Sequence, residues 1–159
     1  MKSLLVYSSK TGNTKKLADA IFENLPGEKE VCAIDDAPTP DGHDLICVAF
    51  WFQAGKPDPK SQEYLAKITN QKVILAATHG AAKNSAHAQN GMKFAEGIIP
   101  DAQVLATFSC QGEVSPQFME KAAAKPEPPP WLPDAKTAQG HPDEKDLVAL
   151  KECLEGLRL

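Results

Sequence analysis

Apolar residues come along this chain in short unbroken runs that alternate with helical stripes. Ser3–Tyr7, with Leu4, Leu5 and Val6 at its centre, reads as a strand with no polar face, buried on both sides of a sheet. Leu17, Ala18, Ile21, Phe22 and Leu25 then recur at helical spacing, and Pro26-Gly27 closes that helix. A weaker strand over Glu30–Ile34 is followed by a turn-rich stretch, Asp35–Asp44, with at most a vestigial helix. The runs LICVAF (Leu45–Phe50) and KVILAA (Lys72–Ala77) predict central strands, and AQVLATFSC (Ala102–Cys110) predicts the last one. Helices are expected between them: Ser61–Thr69 with Tyr64, Leu65 and Ile68 inward, about Ser85–Gly97, and a short one through Ala124 opened by Ser115-Pro116. Residues 125–141 read as a proline-rich extended surface segment and 142–159 as a C-terminal helix, with Leu147, Leu150, Leu154 and Leu157 facing inward.

Strand–helix alternation with apolar strands predicts one α/β domain over residues 1–159. Its expected core is a doubly wound, five-stranded parallel sheet of order 2-1-3-4-5, with helices on both faces. Ligands of such sheets bind beyond the carboxyl ends of the strands, near the switch point beside strand one. That rule selects four loops: Ser8–Thr14, Trp51–Lys56 in the loop WFQAGKPDPK, Thr78–Ser85 and Cys110–Glu113.

Composition narrows the class without naming it. A chain of 159 residues with 42% apolar and 24% charged residues can build one real core. The net charge of −4 argues against a nucleic-acid partner, and no apolar stretch approaches the roughly 20 residues of a membrane helix. No signal peptide is apparent, so a cytoplasmic protein is expected. Cys32, Cys47, Cys110 and Cys153 are widely spaced with no Cys-x-x-Cys, which predicts free, mostly buried thiols and no structural metal.

The loop Ser8-Ser9-Lys10-Thr11-Gly12-Asn13-Thr14 concentrates hydroxyls, a glycine and an amide at a helix N-terminus. Gly12 permits a tight turn, and the backbone N–H groups of residues 11–15 can form a cup for a phosphate, neutralised by dipoles and not by an arginine. A nucleotide P-loop would need the glycine before the lysine, and a dinucleotide fingerprint would need three glycines. A phosphorylated receiver would need acidic residues where Tyr7-Ser8 and Phe50-Trp51 stand, and a phosphatase Cys-x5-Arg loop is absent. A merely well-capped helix is the plain alternative.

Ser9-Lys10-Thr11-Gly12-Asn13-Thr14 after an N-terminal strand resembles the phosphate-binding signature of the flavodoxins, and the inferred topology extends the likeness over most of the chain. The resemblance implies that the anion is the 5′-phosphate of FMN, held by Ser9, Thr11, Gly12, Asn13 and Thr14 with Ser8 and Lys10 beside them. The flavin ring would lie between the loops after strands three and four. Trp51 and Phe52 could stack on it, and Gln53, Ala54 and Gly55 could bring backbone groups to its edge. The second loop offers Thr78, His79 and Gly80 but no tyrosine, which flavodoxins usually place against the other ring face. His79 or His87 could contribute there, or that face is open to a substrate and the second reduction potential is less extreme.

Cys110 reads as a packing residue more readily than a nucleophile, with backbone contacts expected from Gln111 and Gly112. Phe108–Gly112 (FSCQG) and His141–Leu147 (HPDEKDL) resemble a short flavodoxin-like subgroup, some of whose members accompany reductases, bilin reductases included. The proline segment with Trp131 is either a partner-docking surface or a strap over the domain. The resemblance implies a monomeric or weakly dimeric electron carrier working between a reductase and an acceptor enzyme. Two alternatives stay open: an FMN-dependent reductase acting directly on a small acceptor such as a quinone, and a flavin-free module that binds another phosphate.

Overall fold

The structure is a computed structural model and describes residues 1–159. Five strands form the parallel sheet: β1 (Lys2–Tyr7), β2 (Glu28–Ala33), β3 (Leu45–Gln53), β5 (Lys72–His79) and β6 (Gln103–Gln111). They lie side by side as β2-β1-β3-β5-β6, and a two-residue β4 (Lys56–Pro57) returns antiparallel against the end of β3. With β4 set aside, this is the doubly wound order expected.

Period-two alternation sorts each strand into two core layers. Leu5, Cys47 and Ile74 stand opposite one another in successive strands and face one side. There they meet Leu17 and Ile21 of α1 (Asn13–Asn24) and Leu150 and Leu154 of α5 (Glu144–Glu155). Leu4, Val48, Phe50 and Leu75 face the other side, against Tyr64 and Leu65 of α2 (Pro59–Leu65) and Met92 and Ala95 of α3 (Ala86–Ile98). Full burial of each such leucine stabilises by about 1.5–3 kcal/mol, so the two layers fix strand order and register before any ligand is considered.

The sheet departs from expectation mainly at its carboxyl ends. β3 does not stop at Phe50: it continues through Trp51 and Phe52 to Gln53, and the expected loop is a tight hairpin. Ala54 (φ 53°) and Gly55 (φ 77°) both take left-handed backbone, the pair of conformations a two-residue hairpin turn requires. β5 likewise runs on to His79. β2 is shifted to Glu28–Ala33 and largely exposed, as suits an edge strand. Helix α2 starts at Pro59, earlier than expected, because Asp58 caps it, and it ends at Leu65. The vestigial helix is one 3₁₀ turn, Ile34–Asp36. The segment 125–141 is not simply extended. It contains a 3₁₀ turn over Leu132–Lys136, with Ala135 and Ala138 fully buried, and it follows α4 (Pro116–Ala123).

Candidate functional site

The β1–α1 loop is pinned at its start by Ser8, whose N–H donates to the Ala49 carbonyl at 2.9 Å. The chain then turns through Gly12 at φ 94°, a conformation that costs any residue with a Cβ. Ser9 Oγ accepts from the N–H of Gly12 (3.1 Å) and of Lys15 (3.3 Å), folding the loop over the helix end. The N–H groups of Ser9, Lys10, Thr11, Asn13 and Thr14 have no hydrogen-bond partner within the protein. Five free donors at the positive end of α1 form a concentrated site for an anion.

The hydroxyls divide into two sets. Ser8 Oγ donates to Asp58 at 2.8 Å, and Thr14 Oγ1 pairs with Thr78 Oγ1 at 2.9 Å in the interior. Both therefore shape the loop from behind, while Thr11 and Ser9 remain at its open side. Asn13 Nδ2 donates to the Glu113 carbonyl at 2.9 Å and ties the loop to the end of β6. A Cβ on Gly112 would stand 3.1 Å from both Asn13 Nδ2 and Thr78 Cβ, so the glycine lets α1, β5 and β6 pack closely there.

Asp58, absent from the candidate residues of the sequence, organises the junction between the loops. It is 2% exposed and takes Ser8 Oγ and Ser61 Oγ, each at 2.8 Å, together with the Ser61 N–H at 3.3 Å. Its own N–H donates to the Trp51 carbonyl at 3.0 Å. One buried carboxylate thus holds the phosphate-type loop, the end of β3 and the start of α2 together.

Trp51 and Phe52 point to opposite faces, as neighbours on a strand must. Phe52 turns toward α3: its ring lies 5.1 Å from that of His79 and 5.9 Å from that of His87. A Cβ on Gly91 would fall 2.3 Å from the Phe52 ring, so α3 carries a glycine there to admit it. His79 is buried beneath this ring. Its Nδ1 is 3.0 Å from the Ala81 carbonyl and so carries the proton, leaving Nε2 as a buried acceptor with no partner. Desolvation, opposed by the Ala81 bond, lowers its pKa to about 4, so the ring is neutral near pH 7. His87 rests against Gly55, and burial lowers its pKa as well.

Trp51, on the other face, is half-buried, with Lys10 Nζ 5.6 Å from its ring centroid. The same ammonium is 6.0 Å from the Phe118 ring of α4, and Phe118 stacks on Trp131 with centroids 5.9 Å apart and planes at 14°. Trp131 in turn covers Gly80: a Cβ there would meet the indole at 3.1 Å. The segment carrying Trp131 is anchored by Asp134, which accepts from the Ala82 N–H at 3.3 Å, and by Gln111 Nε2, which donates to Thr137 Oγ1 at 3.0 Å. Cys110 is fully buried, and burial pushes its thiol above the usual range, which suits packing and not nucleophilic attack.

The residues singled out in the sequence thus gather at one end of the sheet. Ser8–Thr14, Trp51 and Gly80 border one region, Gln111 and Gly112 buttress it, His79 and Cys110 are buried beneath it, and Phe52 is partly buried on the α3 side. Asp58 and Phe118 join them unannounced.

This arrangement has relatives. A flavodoxin-like domain-containing protein, BilS, of Clostridioides difficile (strain CD3) is 31% identical over 92% of this chain and 90% of its own length. The flavodoxin of Streptococcus pneumoniae TIGR4 superposes with a TM-score of 0.65 at 15% identity, covering 98% of this chain and 96% of that one. A short-chain flavodoxin associated with a non-canonical PDU bacterial microcompartment gives a TM-score of 0.67 at 15% identity, over 99% and 96% of the two chains. Residues 4–155, from the first buried strand to the last helix, match the flavodoxin domain family, and the chain belongs to that family.

Proposed function

We propose that this protein is an FMN-dependent electron carrier that shuttles electrons between a reductase and an acceptor enzyme. The observation that carries the reading is the set of five unpaired N–H groups around Gly12, at the end of the sheet where Trp51 presents a half-buried indole. The donor set fits a phosphate monoester: neutral N–H and hydroxyl donors, no carboxylate among them, and Lys10 as a nearby cation. Gly12 lets the backbone come close to the anion, while Ser9 keeps the turn folded. Trp51 would flank the ring, and the turn at Ala54-Gly55 would offer backbone groups to its edge.

When bound, FMN supplies the storage of one or two electrons. The protein's share is to bind, orient and exclude water. Membership in the flavodoxin domain family supports FMN as the ligand. The burial of His79 and Cys110 supports a carrier over a reductase acting directly on a small molecule. His79 is neutral and buried under Phe52, and the Cys110 thiol is held protonated by its surroundings. Neither offers an exposed proton donor to a substrate.

The test is a fluorimetric titration of flavin-free protein with FMN and, in parallel, riboflavin, which lacks the phosphate. FMN binding at least about 100-fold tighter than riboflavin is expected for a cup built of backbone dipoles and charge-assisted bonds. Equal affinity for the two would remove the phosphate site. A loaded protein that consumes NAD(P)H rapidly by itself would overturn the carrier and favour the reductase.

A further inference from the structure

The loop after β5 presents no aromatic residue of its own to the region bordered by Trp51. His79 is buried beneath Phe52, and His87 lies against Gly55 on the α3 side. Above Gly80, where a side chain of that loop would stand, the indole of Trp131 lies instead, arriving from 51 residues further along the chain. A Cβ on Gly80 would meet that indole at 3.1 Å and Val114 at 3.0 Å, so the glycine and the indole are matched to each other.

Three further observations set Trp131 apart from an ordinary surface aromatic. Phe118 stacks on it yet remains 47% exposed, a large apolar side chain left in water at the end of the sheet where ligands bind. Lys10 Nζ lies within 6.0 Å of the ring centroids of both Trp51 and Phe118, so aromatic groups from β3 and from α4 border one small volume. The segment is also held in place: Asp134 grips the Ala82 N–H, Gln111 grips Thr137, and Ala135 and Ala138 are fully buried.

We infer that Trp131, backed by Phe118, is the second wall of the flavin-ring site, opposite Trp51. The strap between α4 and α5 thereby supplies the aromatic surface that the β5 loop lacks. This rests on the FMN reading above and specifies its ring end. Indole and phenyl faces offer apolar, polarisable contact to a planar heterocycle, and the strap's anchors pre-organise that contact. The wall recognises the ring and not the phosphate, so its loss acts equally on FMN and riboflavin.

That equality makes the test separable from the test of the phosphate cup. Both flavins are titrated against wild type and against Trp131→Ala, Trp131→Leu, Trp131→Phe and Gly80→Ala, with far-UV circular dichroism to check the fold and the shape of the bound flavin's visible absorption band as a second readout. Trp131→Ala is expected to weaken both flavins roughly tenfold, leave the FMN-to-riboflavin ratio unchanged and alter the band shape. Trp131→Phe should recover most of the affinity and Trp131→Leu should not. Gly80→Ala, which pushes the indole away, should weaken wild type but add nothing to Trp131→Ala. Wild type that prefers FMN while Trp131→Ala binds both flavins unchanged would overturn the wall and leave the cup standing. Recovery by leucine as complete as by phenylalanine would also overturn it, reducing Trp131 to packing. Wild type that binds neither flavin would overturn both readings.

Discussion

Asp58 offers the sharpest quantitative test of how the loops are held. Asp58→Ala removes the acceptor of two buried hydroxyls, Ser8 Oγ and Ser61 Oγ, each 2.8 Å from the carboxylate, and deletes the N-cap of α2. A hydrogen bond to a charged group contributes about 1.5–3 kcal/mol and a cap about 1 kcal/mol. The two hydroxyls can recover part of this by turning to other acceptors, so a net loss of about 3 to 5 kcal/mol is expected. Asp58→Asn keeps one oxygen as an acceptor and conserves volume, and should lose only about 1–2 kcal/mol. Both variants are measured by urea unfolding at pH 7, where the midpoint should fall and the slope stay constant. Because Ser8 and Trp51 both lean on Asp58, the Asn variant should also bind FMN more weakly than its small stability loss alone would produce. An alanine variant within 1 kcal/mol of wild type, or an asparagine variant as unstable as the alanine one, would refute the assignment of Asp58 as the junction of three elements.

Other consequences are as readily measured. Burial holds the His79 pKa near 4 in the folded protein, against about 6.5 when unfolded, so the unfolded chain takes up the proton first. Its contribution is fully present above pH 6.5 and is lost as pH falls toward 4, in total about 3 kcal/mol, with His87 adding in the same direction. Urea midpoints between pH 7 and 4 should therefore fall more steeply for wild type than for His79→Phe, and parallel curves would refute the reading. Gly91→Ala would gain up to about 1 kcal/mol of helix propensity but drives a methyl into the boxed-in Phe52 ring, for a net loss of about 1–2 kcal/mol. Adding Phe52→Leu should relieve part of the Gly91→Ala penalty in a double-mutant cycle, and strict additivity would deny the contact. Burial pushes the Cys47 thiol up to about 12 and raises that of Cys110 as well, whereas Cys32 and Cys153 are partly exposed. A thiol reagent should thus modify two cysteines in the native protein and four in denaturant, and mass mapping would show which.

The strand order could be read from the sequence because each central strand is apolar at consecutive positions, and only a sheet covered on both faces buries such runs. Leu45–Phe50 and Lys72–Ala77 are of this kind. Strand ends were less legible. Trp51 and Phe52 extend β3 because Phe52 finds a niche over Gly91, a contact made across 39 residues. Asp58 had a local signal that could have been used: Asp-Pro followed by a serine three positions after the aspartate is a helix start, with a cap and a proline in the first turn. Its bond to Ser8 had none, since nothing local links residues 50 apart. Trp131 marks the boundary of what periodicity can reveal. A proline-rich stretch carries no repeat that fixes its path, so its return to Gly80 follows from tertiary anchors at Ala82 and Gln111.

The strap between α4 and α5 also has a temporal meaning. All five parallel strands lie within residues 2–111, and the loops after β1, β3 and β5 are complete with them. Trp131 and the anchors at Asp134 and Thr137 come later, and α5, which seals α1, comes last. A chain made N-terminus first therefore has every residue of the anion-binding turn and the five strands before any residue of the strap that closes the aromatic site. The same order gives the protein a division of labour. Residues 1–111 carry the five strands and the anion-binding turn, α5 completes one core layer, and a short, separately anchored segment carries the tuning of the ring. Altering that segment would change the colour and potential of a bound flavin while leaving the strand framework intact.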